Sequence, residues 1–277
     1  MTNLHIKPFR RLWLPAFGVI LFSLLCNVAW AQPKKSANAK FDGAGALNKA
    51  IRQPMLAERI TKSFSLIGQK VLETRSKRQM EDAVKEFETA LRELQATAPT
   101  PEIKENYQLL EQLFEEYKSI TAKPVSLTNA KELAEQNEEV VWISTKGAML
   151  IAAHTKSARS DLIATAGDLR TLTQRTAKLY LFRTWGIRSD VIANDLKKAD
   201  TDYRANMTKL LAAPQNTAQI KSELALAETQ YLFLNQAIER LNVSKLSTME
   251  LEHVTKACDN ILEVMERVTK LYEAVKS

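Results

Sequence analysis

The sequence predicts an all-α protein: about eight helices arranged as tandem antiparallel four-helix bundles after a cleaved signal peptide. Three observations carry this prediction. Apolar residues recur at alternating steps of three and four along most of the chain, the stripe of an amphipathic helix. Only 7 Gly and 8 Pro punctuate 277 residues, too little turn chemistry for a many-stranded β protein. The first half also aligns on the second with matching residues at matching spacing. With 45% hydrophobic residues the chain can bury a core and is not expected to be disordered.

The charge balance narrows the partners. There are 39 Lys plus Arg against 32 Asp plus Glu, a net of +7. Lys7, Arg10 and Arg11 fall in the first eleven residues, where no acid occurs, so the rest of the chain sets 36 cations against 32 acids. Such a balance is a weak electrostatic footprint, and no nucleic-acid partner is expected. After these cations, Leu12 to Val28 is an apolar run, and Ala29-Trp30-Ala31 is a small-x-small site. That is the anatomy of an export signal spanning 1–31, and the mature product is expected in the periplasm. The alternative is an uncleaved membrane anchor over residues 12–30. Leu25 before Cys26 makes a poor lipidation site. Beyond residue 31 no apolar stretch approaches membrane-spanning length. Cleavage leaves Cys258 alone on an apolar stripe, so it is read as a buried small hydrophobe.

The elements follow in order. Residues 32–45 lack periodicity and read as a flexible leader, and the first helix is placed at 46–73. Met80, Val84, Phe87, Leu91 and Leu94 define a second over 77–96; Ile103, Tyr107, Leu110, Phe114 and Tyr117 a third over 101–121, with Pro101 suited to its first turn. Lys123-Pro124 ends that helix, and Ser126 or Thr128 can cap a fourth over 127–158. No Pro or Gly interrupts 148–166, so the fourth can run directly into a fifth at 160–184, closed by Trp185-Gly186. The sixth (187–212) and seventh (215–241) are separated by Ala213-Pro214-Gln215-Asn216. Asn242-Val243-Ser244 precedes an eighth at 246–276, striped by Val254, Cys258, Ile261, Met265, Val268, Tyr272 and Val275.

Offsetting the chain by 116 lays Ala57-Glu58-Arg59-Ile60-Thr61-Lys62-Ser63-Phe64 on Thr173-Gln174-Arg175-Thr176-Ala177-Lys178-Leu179-Tyr180. Ala98-Pro99 meets Ala213-Pro214 one residue out of step, and the last helices match after a small insertion. A duplicated four-helix unit follows, with repeats at 46–158 and 159–277, because an amphipathic helix cannot bury its stripe alone. Whether the repeats form separate bundles or one elongated bundle stays open.

The stretch from Leu47 to Arg59, Leu-Asn-Lys-Ala-Ile-Arg-Gln-Pro-Met-Leu-Ala-Glu-Arg, resembles the opening of the PilJ-type domain. That domain is the N-terminal sensor region of type IV pili methyl-accepting chemotaxis transducers and is similar to NarX-like nitrate/nitrite sensor domains. Its pattern runs approximately Asn-x-Ala-Gly-Arg-Gln-Arg-Met-Leu-Ser-Gln-Arg. Ala166-Gly167, Arg170 and Gln174-Arg175 supply parts of it in the second repeat. The resemblance implies a four-helix sensor fold, with the anion held by an arginine of the first helix, whose place here is Arg170. It also implies a possible homodimer, since related sensors place their ligand groups at a subunit seam. In the first repeat that arginine's place is Pro54, with neither charge nor donor, and the counterpart of Gly167 is Ile51. The candidate ligand residues are therefore Gly167, Arg170, Gln174 and Arg175, with Arg52, Gln53 and Arg59 as first-repeat equivalents.

A guanidinium is a planar fork suited to oxyanions, and Gln174 lies one turn beyond Arg170 on the same face. The competing expectation for Arg170 is a carboxylate partner with its stem packed. For Arg59 and Arg175 an interhelical salt bridge is favoured. Catalysis has little support, and neither enzyme activity, cofactor nor metal is expected. His154 and His253 have no partner at metal-ligand spacing, and Glu138-Glu139 without a Glu-x-x-His reads as a solvated face. Two functions remain open: a periplasmic sensory module that binds a small anion and signals through a separate membrane-bound or envelope partner, or a scaffolding bundle docking onto envelope or pilus components without a ligand.

Overall fold

The structure, a computed structural model, describes residues 41–187, 190–239 and 247–275. The expected export signal, most of the leader and Asn242–Ser244 lie outside the described residues. Within them the protein is all-α, with eight helices and no strand: α1 Gly43–Gly68, α2 Glu73–Ala96, α3 Pro101–Thr121, α4 Leu127–Thr155, α5 Ala158–Thr184, α6 Asp190–Leu211, α7 Ala218–Glu239 and α8 Thr248–Ala274. None of these is long and apolar enough to cross a membrane.

Local chemistry explains where the expected boundaries shift. α1 begins at Gly43, inside the expected leader, with Ala46 and Leu47 already buried. It stops at Gly68 because Lys70 and Leu72 take left-handed backbone (φ 57° and 48°), which ends the helix and starts α2 four residues earlier than expected. Pro54, expected to start or kink a helix, sits inside α1 and is buried. It forgoes one backbone bond, but α2, α4 and α5 all pack on α1 and hold the helix in place. α4 does not run into α5. Lys156 turns left-handed at φ 31°, and the Ser157 hydroxyl accepts the amide of Ser160 at 3.0 Å, capping α5. Ser126, rather than Thr128, caps α4 through the amide of Asn129, and Thr100 caps α3 with Pro101 in its first turn. α5 ends as expected at Trp185-Gly186, where Gly186 has φ 94°.

Successive helices run antiparallel. Gln53 donates to the Phe87 carbonyl and Lys49 pairs with Glu93 across α1/α2; Asn106 donates to the Ile143 carbonyl across α3/α4. α1 packs on α2 and α4, and α5 on α6 and α8, while α1 and α5 pack extensively on one another. This last pair runs parallel. Ile51 lies against Gly167 and Gly68 against Trp185, nearly the same spacing at both ends. Residues equivalent in the sequence alignment therefore touch, as Ile51 and Gly167 do.

The interior repeats as well. Phe87 and Phe114 stack at 3.8 Å between α2 and α3; Tyr203 and Tyr231 stack at 3.6 Å between α6 and α7, at equivalent places. Cys258 is buried, and burial pushes its thiol up to about 12, so it packs as an inert small hydrophobe. At the α1/α5 contact, a Cβ on Gly167 would come within 2.8 Å of the Ile51 Cβ, so only glycine lets the helices approach this closely. Gly167→Leu should therefore destabilise the protein by about 1–3 kcal/mol or more through overpacking, read as a lower urea midpoint.

Candidate functional site

α1 and α5 read in the sequence as amphipathic, yet from Gln53 to Ile67 every residue of α1 except Arg59 is buried. Their polar faces point inward, and much of that polarity meets at the seam between them. Gln53, Glu58, Thr61, Lys62 and Ser63 of α1 and Arg170, Thr173, Gln174 and Lys178 of α5 are all buried. Charges so placed must be partnered. Lys178 donates to Asn137 Oδ1 at 2.6 Å and Glu138 Oε1 at 2.8 Å on α4, and lies 2.8 Å from Glu58 Oε2 on α1. Arg175 reaches Glu58 at 2.9 Å, Glu138 at 2.9 Å and Asp195 of α6 at 3.4 Å. Burial opposes charge on Arg175, but Glu58 and Glu138 outweigh it and hold the guanidinium firmly protonated.

The other half carries the counterpart. Lys62, equivalent to Lys178, donates to Asp259 Oδ1 of α8 at 2.6 Å. Asp259 is the counterpart of Glu138 once the insertion before the last helix is allowed for. The two clamps are crossed: the first helix of each half grips the last helix of the other. Arg75 and Gln79 of α2 bind the second oxygen of Asp259 at 2.9 and 3.2 Å. Burial pushes the Asp259 carboxyl up, but the charge and hydrogen bond of Lys62, with Gln79 and Arg59, outweigh it and leave it below the usual carboxylate range. Burial draws the Lys62 ammonium below its ordinary value despite Asp259.

Arg170 is different. Its side chain is 1% exposed, and the hydrogen bond it makes is to a neutral group, Nη2 to Asn48 Oδ1 of α1 at 3.0 Å. Among the described residues its Nε has no hydrogen-bond partner, and it forms no salt bridge. Burial, reinforced by the nearby charge of Arg52, pushes the guanidinium down to about 10, against the more distant pull of Glu266, Glu273 and Glu86. One turn on, both amide atoms of the buried Gln174 lack a partner, as does the Oε1 of Gln53. The seam thus holds a fully buried guanidinium with unused donor capacity and, one turn along α5, an uncommitted amide.

The other expected ligand residues divide. Arg175 is committed to three carboxylates, the interhelical bridge favoured for it, so it is not free to hold a ligand. Arg59 makes no such bridge among the described residues, and its Nε is buried without a hydrogen-bond partner. Arg52 spans Glu86 at 2.7 Å and Glu266 at 3.1 Å. Gly167 packs on Ile51. Glu138, expected on a solvated face, is half exposed and belongs to the Lys178 clamp, because α5 passes beside it. Asn48, Glu58, Lys62, Asn137, Lys178 and Asp259 were not singled out. A signal existed: Ile51, Met55, Glu58 and Lys62 step four, three, four, so charged residues continue an apolar stripe, and lysine recurs at the equivalent place in α5.

Compared with known proteins, the chain matches no family model, no curated protein and no solved structure.

Asp259→Ala strands the Lys62 ammonium and should cost about 3–5 kcal/mol of unfolding free energy; Lys62→Met with Asp259→Leu should recover most of it, measured by urea denaturation. Because the folded Asp259 and Glu138 carboxyls titrate below their unfolded value of about 4, the stability they contribute is complete above roughly pH 5 and lost as pH falls through the folded values. Below that point the thermal midpoint should drop steeply, and less so in the Lys62→Met/Asp259→Leu protein; between neutrality and that point Asp168, which burial pushes up to about 6, takes up a proton and should raise the midpoint slightly in both proteins.

Proposed function

We propose that this chain is an exported, periplasmic ligand-binding module of sensory type. It takes a small oxyanion such as nitrate, nitrite or a carboxylate at the α1/α5 seam, and signals through a separate membrane or envelope partner. The observation that supports this most directly is Arg170: a buried guanidinium whose hydrogen-bond partner is neutral. Burying an ion without a counter-charge is expensive, and protein interiors hold such groups chiefly where a ligand completes them. An oxyanion bridging Arg170 and Asn48 would tie α5 to α1. Ligand binding at a seam between two packed helices biases their relative position, which is how occupancy reaches a partner. The resemblance of the α1 and α5 openings to PilJ-type and NarX-like sensor domains points the same way.

A second reading has its own support. Pro54 stands where the first half would carry the ligand arginine, and Arg175 is fully engaged in structural bridges. On that reading the molecule is a scaffold whose buried charges register its helices.

Thermal unfolding with an anion panel separates the two. An anion at a hundredfold its Kd stabilises by about 2.7 kcal/mol, a rise of roughly 5–10 °C for a protein of this size. Arg170→Met should remove that rise while leaving the ligand-free protein as stable or up to about 1–4 kcal/mol more stable, because an apolar chain replaces an unpaired buried charge. No response to any anion, with Arg170→Met clearly destabilised, would give the site to the scaffold reading.

A further inference from the structure

The internal repeat supplies its own control for every surface. α3 and α7 occupy the same place in the two halves, with Phe114 and Tyr231 marking the equivalence. On α3 the outward residues are Gln108, Leu109, Gln112, Glu115, Glu116 and Ser119, a solvated face. On α7 the same positions carry Ala225, Leu226, Thr229, Leu232, Phe233 and Gln236, and all six are exposed. Leu232 and Phe233 are 56% and 61% exposed where α3 has two glutamates. A helix that is apolar on its outer as well as its inner face is covered by something.

We infer that the outer face of α7 is where two copies of this chain meet, antiparallel about a two-fold axis at Thr229. The helix is complementary to itself in that arrangement. Residues equidistant from Thr229 oppose one another: Phe233 meets Ala225, large against small, Leu232 meets Leu226, and Gln236 meets Ser222. The charges fit too. Glu228 opposes Gln230 and Lys221 opposes Ala237, so no like charges face each other although each chain carries a net +7. The α6/α7 cleft lined by Tyr203, Met207, Ala225, Thr229 and Leu232 extends this face inward. In the first half, Lys118–Glu88 and Gln95–Glu111 strap the equivalent cleft. Their counterparts in the second half, Asn235 with Arg204 and Leu211 with Glu228, are not paired with each other; there Tyr231 donates to Asp200 at 2.6 Å and Arg204 lies over the Tyr231 ring, leaving Leu232 and Phe233 outside these contacts.

Light scattering of the full-length protein over a concentration series tests this. The wild-type mass should double with rising concentration, and Leu232→Glu/Phe233→Glu, which installs what α3 carries, should raise the dimer dissociation constant roughly tenfold or more. Both residues are solvent-exposed, so helix content should not change, nor should the thermal midpoint at concentrations where the wild type is monomeric. Thr229→Cys should form a disulfide-linked dimer on mild oxidation, while Gln112→Cys, its α3 counterpart, should not. A wild-type mass that stays monomeric throughout would overturn the inference and leave the face to another protein or a lipid surface. So would a dimer indifferent to the double substitution, or cross-linking through Gln112→Cys in place of Thr229→Cys.

Discussion

Two first helices lie parallel and in register with buried polar and charged side chains along both, and the rest of the molecule is arranged to make that tolerable. Glu58, Lys62 and Lys178 are withdrawn from water on α1 and α5, and an isolated ion there would be prohibitive. The crossed clamps are the solution. Lys62 reaches α8 and Lys178 reaches α4, so each half supplies the counter-charge that the other half's first helix needs. Two halves that satisfy one another's buried ions are joined by a constraint more selective than apolar packing, because a register slip would strand every charge at once.

Against that background the uncompensated groups stand out. Arg170 and Gln174 sit in the same seam but were not given partners of the kind found for Lys178 and Arg175. The halves have diverged around a shared frame. The first has Pro54 where the second has Arg170, straps its α2/α3 cleft with the Lys118–Glu88 ion pair and the Gln95–Glu111 hydrogen bond, and presents a charged α3. The second holds the fully buried Arg170, a cleft bridged by Tyr231 and Asp200 in place of a lysine–glutamate pair, and an apolar α7 face. On our reading, binding and association both belong to the second half, while the first half holds the second in shape.

Much of the helical fold was legible in the sequence because amphipathic stripes and caps are local signals. The α2, α3 and α8 stripes, the Thr100 and Ser126 caps and the Trp185-Gly186 stop all act within a few residues. The boundaries that shifted depend on tertiary contacts or backbone conformation. The left-handed turns at Lys70, Leu72 and Lys156 have no glycine to announce them. Arg170 could be nominated through the resemblance, which places the anion-holding arginine at that position. Glu58, Lys62, Lys178 and Asp259 could not, because in a single helix a buried ion reads as a solvated one; only the neighbouring helix makes the difference. Glu138 is exposed as expected, and only the neighbouring α5 reveals that it pairs with Lys178 and Arg175.

The parallel, in-register pairing of α1 and α5 underlies the crossed clamps and the position of Arg170, and a distance measurement tests it most directly. Spin labels at Lys49→Cys on α1 and Asp161→Cys on α5, both exposed, in a background lacking the native cysteines, report their relative direction by pulsed electron paramagnetic resonance. In the arrangement described, the two sites are offset along the helices by four residues, about 6 Å, so the label separation is set mainly by the lateral spacing of neighbouring helices. An antiparallel pairing would set the two sites roughly 25 Å apart along the axis, and a label separation dominated by that axial offset would contradict the account.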